Sequence, residues 1–277
     1  MTRSSWPSLI PLILMLLLAV SSNAGAQQQD DDAAVFKPAQ PDFTLVGLPT
    51  GLRLPRFKSA FRVTHRFTRP LTEGDFGSLS GDFFGLDSGA QIGLEYRFGI
   101  IRNGQIGINR TNDRTIQFFT LYDVIRQERL GVEVSAFGSI DGKNNFRESY
   151  SPAVGAVVSR TIGEYVGLYV EPIWVNNTNQ LPAAVVDHND TFIVGVGERV
   201  RVRPTVYVVG EVSPRAAGYK PTPGVTQGSF GLEKRAGGHV FQVNFSNGFG
   251  TTMGQIARGG PEGNDWYLGF NISRKFF

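Results

Sequence analysis

The chain has 277 residues, 41% of them hydrophobic, and a formal net charge of +3. It has no cysteine, which excludes disulfide frameworks, thiolate metal sites and cysteine nucleophiles. The small charge is not gathered into Lys/Arg clusters with interleaved aromatics, so nucleic acid is not expected as a partner.

Residues 1–26 read as a secretory signal: Arg3, an apolar core from Leu9 to Val20, and the small residues Ala24-Gly25-Ala26 before Gln27. The apolar core is shorter than the roughly 20 residues that a helical span needs. Removing this segment takes away Arg3 and lowers the net charge to +2. No later stretch is long and apolar enough for a helical span, so a membrane-resident chain must cross as a closed barrel. Residues 27–56 read as a short periplasmic leader. Gln27 to Gln29 and Asp30 to Asp32 are polar or charged, and Pro38, Pro41, Pro49 and Pro55 punctuate the approach to the first strand.

From residue 57 to 277 the pattern is that of a barrel, because successive strand side chains point to opposite faces. In the first strand Phe57, Phe61, Val63 and Phe67 oppose Lys58, Arg62, Thr64 and Arg66. In the second, Ala90, Ile92, Leu94, Tyr96 and Phe98 oppose Gly89, Gln91, Gly93, Glu95 and Arg97. Twelve strands are predicted, near 57–68, 89–98, 104–111, 114–125, 129–140, 151–160, 165–175, 190–200, 204–213, 227–235, 238–247 and 265–276. Long and short connections alternate, apart from a brief turn at Asn112-Asp113, as in outer-membrane barrels with short periplasmic turns and longer external loops. The fold class is therefore all-β: an antiparallel transmembrane barrel in the bacterial outer membrane, with both termini periplasmic. Glycines inside the strands, among them Gly195 and Gly197, are expected to relieve crowding on the inner face.

With the apolar parity toward lipid, the other parity lines the lumen. It comprises Lys58, Arg62, Arg66, Glu95, Arg97, Glu133, Tyr169, Glu171, Arg199, Tyr207, Glu211, Glu233 and Arg235. Both signs are present, so two readings stand side by side. One is a network of ion pairs that neutralises a narrow interior. The other is a pore whose Arg62 and Arg66 face an acidic wall; twelve strands lie between the filled eight and the open sixteen.

No catalytic residue, metal ligand or cofactor site is assigned. His65 is outward between Val63 and Phe67, His239 between Gly237 and Phe241, and His188 sits in a loop beside Asp187 and Asp190. None places a serine two residues away on the same face, so an outer-membrane hydrolase is the least favoured role. The loop carboxylates Asp82, Asp87, Asp187 and Asp190 are read as hydrated. Gly195-Val196-Gly197 lies in a strand, without the third glycine and helix of a dinucleotide site.

The segments His65-Arg66-Phe67, Phe83-Phe84-Gly85-Leu86-Asp87, Gly93-Leu94-Glu95-Tyr96, Gly107-Ile108-Asn109-Arg110 and Leu121-Tyr122 to Ile125-Arg126-Gln127 carry a resemblance. From about Leu48 to Phe277 the chain resembles a family of bacterial outer-membrane β-barrel proteins whose domain has no assigned function. The resemblance implies an outer-membrane barrel and transfers no site. The expected partners are outer-membrane lipid, the barrel-assembly machinery during insertion, and small polar solutes. The expected role is a porin-like passive channel; the alternative is a non-conducting structural or adhesive barrel acting through loops 69–88 and 248–264.

Overall fold

The computed structural model describes residues 38–179, 189–219, 225–261 and 265–277. The signal segment, residues 27–37 of the leader, Asp187 and His188 lie outside the described residues. Thirteen strands form one sheet: β1 (Ser59–Phe67), β2 (Ala90–Ile101), β3 (Gly104–Thr111), β4 (Ile116–Ile125), β5 (Glu133–Gly142), β6 (Glu148–Ile162), β7 (Val166–Val175), β8 (Thr191–Arg203), β9 (Val206–Ser213), β10 (Arg215–Gly218), β11 (Gln227–Ala236), β12 (His239–Ser246) and β13 (Tyr267–Phe276).

Antiparallel pairing runs around the sheet, and the ring is closed by β1 against β13, with Val63 opposite both Leu94 and Ile272. Twelve strands make the ring. The thirteenth, β10, continues β9 along β8 beyond a break at Pro214, where the register shifts between Arg215 and Ala217. Proline has no N–H to give to the ladder, so the strand is interrupted there. The sequence predicts a loop over 214–226 and does not signal β10. The fifth strand also starts later than predicted, because Gln127–Leu130 forms a helical turn closed by Gly131 at φ 73°.

Closure leaves no unpaired edge in the twelve-strand ring, the condition for backbone to cross hydrocarbon. The alternation is kept: β1 runs half-buried and buried in turn. Leu94, Tyr96, Ile106, Phe118, Tyr122 and Leu232 are exposed on the outer face and form the apolar belt. Short helices lie in loops at the end opposite Phe277, among them α1 (Phe76–Gly81), capped by Asp75, and α2 (Met253–Arg258), opened by a Thr252/Gln255 capping box.

The interior is filled from both ends. Residues 43–50 form a tight hairpin, with Leu45 N–H bonded to the Leu48 carbonyl and Thr50 N–H to that of Phe43, both at 2.8 Å. Ala39, Phe43, Leu45, Val46, Leu48, Leu52 and Leu54 are buried. Residues 38–56 therefore do not form a periplasmic leader outside the sheet; they enter the barrel and turn back to feed β1. The physical reason is their apolar side chains, which are better buried than hydrated. From the other end the β12–β13 connection folds inward, burying Thr251, Thr252, Met253, Ile256 and Ala257. Residues 248–257 are thus inside the barrel, and the expected external loop 248–264 is not presented there as a surface.

Candidate functional site: the occupied lumen

The inner wall is divided. Phe119, Leu121, Phe137, Val157, Ile173, Ile193 and Val209, from β4 to β9, form an apolar cluster with Leu45, Val46 and Leu48 of the hairpin and Met253, Ile256 and Ala257 of the inward loop. The opposite wall, from β1 to β3 and β11 to β13, is polar and charged. Polar side chains grip the hairpin by its backbone. Arg62, Arg66 and Asn271 all donate to the Val46 carbonyl, the last two at 3.3 and 3.1 Å. Gln242 donates to Leu45 O at 3.0 Å, Arg199 of β8 to Thr44 O at 2.6 Å, and Lys275 to Pro41 O.

The tip of the hairpin is held by an anion. The Glu211 carboxylate accepts from Val46 N–H at 3.0 Å, from Gly47 N–H at 2.8 and 3.0 Å, and from Leu48 N–H at 3.0 Å. Three successive amides converging on one carboxylate make a backbone nest. A Cβ at Gly47 would stand 3.2 Å from Glu211 Oε1 and 3.3 Å from Ile256 Cδ1, so the two insertions meet at this point with little room to spare. Gly195 and Gly197 have the complementary job on the wall. A Cβ at Gly197 would be 2.2 Å from Leu45 Cδ1, and one at Gly195 would be 2.9 Å from Leu48 Cδ1. These glycines do relieve crowding, and the crowding comes from the inserted hairpin.

The charges are paired across the interior. Arg199 and Glu233, both with fully buried side chains, form a two-pronged pair at 2.7 and 2.8 Å. Gln242 donates to the same Glu233 at 2.7 Å. Arg62 lies 3.7 Å from Glu95, which also binds Arg97. Ser273 donates to Asp42 at 2.7 Å. Such pairs offset the desolvation of each charge, and removing one partner strands the other. Glu171 is the contrast: it is fully buried, and neither carboxyl oxygen has a hydrogen bond among the described residues.

Of the residues predicted to face the lumen, Arg62, Arg66, Glu95, Arg97, Glu133, Tyr169, Glu171, Arg199, Tyr207, Glu211 and Glu233 are buried inside the barrel. Lys58 is a correction: it precedes β1 and is exposed at the rim. Arg235 keeps the inner parity of Glu233 and is half-buried near the end of β11. Strand alternation alone does not reveal the partners of this wall, namely the hairpin backbone and the inward loop. A signal exists in Phe43, Leu45, Leu48, Leu52 and Leu54, since a hydrated leader has no use for so many apolar side chains.

Two cavities among the described residues measure about 10 and 20 Å³. Each is of the size of one or two water-sized sites. The smaller is lined by Asp42, Phe43, Arg62, Glu95 and Arg97 among others, the larger by Thr44, Gly47, Phe119, Met253 and Ile256 among others. On the outer face, His65 stacks on Phe270 with ring centres 4.8 Å apart, and His239 meets Arg274 at 3.2 Å. Among the described residues, no serine hydroxyl is hydrogen-bonded to either imidazole. Asp82 is bound by Arg69, and Asp190 accepts from the Trp174 indole at 2.7 Å.

Among solved structures, the chain is similar to the NanC porin, at 8% identity and a TM-score of 0.51, covering 79% of this chain and 100% of that one. It is also similar to the KdgM porin solved in complex with disordered oligogalacturonate, at 6% identity and a TM-score of 0.49 over 79% and 99%. Outer membrane phospholipase A from Escherichia coli matches at 10% identity and a TM-score of 0.40 over 79% and 90%. At these identities the NanC likeness establishes the barrel fold alone, and the other two carry no further argument. No curated protein matches the sequence. A family model described as "Membrane bound beta barrel domain (DUF5777)" matches residues 46–276, from the hairpin tip to the end of β13. With a closed antiparallel ring, an apolar belt outside it and this match, the chain belongs to that family of membrane-bound β-barrels.

Proposed function

We propose that the protein is a porin-like conduit for small polar solutes in the outer membrane, with both termini on the periplasmic side, held closed by its own residues 38–56. The observation that carries this reading is the polar lining behind the hairpin. Arg62, Arg66, Gln242, Asn271 and Glu211 each make at least one hydrogen bond to main-chain groups of a separate segment, besides their contacts with one another and with the wall. With that segment withdrawn, the same groups face water and line an aqueous path, as in barrels whose lumen is polar. The barrel performs no chemistry in this reading.

A second reading, a sealed structural barrel, is favoured by the apolar half of the wall, where Leu45, Leu48, Met253 and Ile256 pack as a protein core. Planar-bilayer recording separates the two. The full chain is expected to conduct rarely, and a variant lacking residues 38–56 to carry a steady current. A refolded, membrane-inserted deletion variant without current would overturn the conduit and leave the sealed barrel.

A further inference from the structure

The end of the barrel that carries Phe277 has a composition unlike the rest of the surface. Three of its five tight connections share one device, an exposed apolar residue beside an exposed basic one; the β6–β7 turn carries Glu164 and Tyr165 instead, and Ala236 and Gly237 lead from β11 to β12. Ile101 ends β2 and Arg102 follows it, Arg129-Leu130 lies between β4 and β5, and Val202-Arg203 ends β8 before the turn to β9. Arg56-Phe57 leads into β1, with the guanidinium 4.4 Å above the ring. Phe57 and Leu130 are 64% and 66% exposed, which is far from water-seeking behaviour for such side chains. On β11 and β13 the outward Lys234 and Arg274 continue the ring, the latter over Phe276. Exposed carboxylates at this rim are few, Glu128 and Glu164 being the ones in the tight turns. The opposite rim differs: its longest described loop carries Glu73, Asp75, Asp82 and Asp87 against Arg69.

An apolar group next to a cation, repeated around a ring that borders the lipid-facing belt, matches a phospholipid leaflet at its boundary. The apolar member enters the acyl region while the long cationic stem reaches up to the phosphate. We propose that this rim is a binding collar for anionic phospholipid, of the phosphatidylglycerol class, in the leaflet on the side of the chain termini. The charge supplies the selectivity and the apolar partners fix the depth. The choice of the phospholipid leaflet rests on the orientation given under Proposed function, but the collar itself works whether or not the lumen conducts.

The test uses the full chain in nanodiscs of equal phosphatidylcholine and phosphatidylglycerol, with retained lipids counted by native mass spectrometry after transfer to detergent. Phosphatidylglycerol is expected to be retained over phosphatidylcholine by about fivefold or more, the scale of one basic side chain at an anionic surface. The triple variant Arg102→Gln, Arg203→Gln, Lys234→Gln is expected to lose that preference. A control with Arg110→Gln, Arg114→Gln and Arg147→Gln at the other end is expected to keep it. Equal retention of both lipids by the parent protein, or equal losses in the two variants, would overturn the collar. Heat-modified gel mobility of each variant checks that the barrel is intact.

Discussion

The two insertions fill one lumen by different means. The β12–β13 loop is a continuation of the wall, tethered at both ends and organised by its own capping box at Thr252 and Gln255. Asp141 adds a bond to the Gly254 amide at 2.9 Å. The hairpin of residues 43–50 has little internal structure beyond its two cross-bonds, and the wall supplies the rest through Glu211, Arg199, Gln242 and Asn271. The loop is part of the barrel, whereas the hairpin is held in the manner of a ligand. Its backbone is read from outside, and a single carboxylate gathers its tip.

That contrast is open to direct attack by native-state hydrogen exchange. The largest effect is expected from Glu211→Ala, which leaves the amides of Val46, Gly47 and Leu48 without their acceptor at about 1–3 kcal/mol each. These amides should lose protection while β-ladder amides and the α2 amides keep theirs. If hairpin and loop open together, they are one body and the comparison fails. Glu171→Gln is the matched control on the same inner face, and should leave the hairpin amides unchanged. Next in size is Gly197→Leu, whose side chain competes with Leu45 for the same space. It is expected to raise the open probability in single-channel records without removing any hairpin residue; unchanged records would mean that the wall yields and the hairpin does not. The smallest is Thr252→Ala, which removes a cap worth about 1 kcal/mol. Exchange should quicken in α2 and stay constant at the hairpin tip.

The barrel is legible in the sequence because a period of two is hard to hide: each of the twelve ring strands is found where alternation predicts it, to within a few residues. The short β10 carries Ala216-Ala217-Gly218 after Pro214, a run with no alternation to read. The charged wall is legible for the same reason as the strands, since Arg62, Glu95, Arg199 and Glu233 fall on the polar parity. The occupant of the lumen is not, because proline and glycine spacing marks a turn without saying what the turn packs against. One clue lies in β4, where Phe119 and Leu121 fall on the inner parity. A strand that is apolar on both faces is covered on both, and on the inner side only an inserted segment could provide the cover.

The hairpin's partners also fix when it can be captured. It lies at the start of the described chain, yet the groups that hold it arrive late: Glu211 follows Gly47 by 164 residues and Ser273 follows Asp42 by 231. Contacts this distant in sequence form only after the intervening chain has been laid down and its loops closed. The hairpin therefore gains its full set of partners only once β13 has zipped to β1, and capture of the segment is the closing step of assembly.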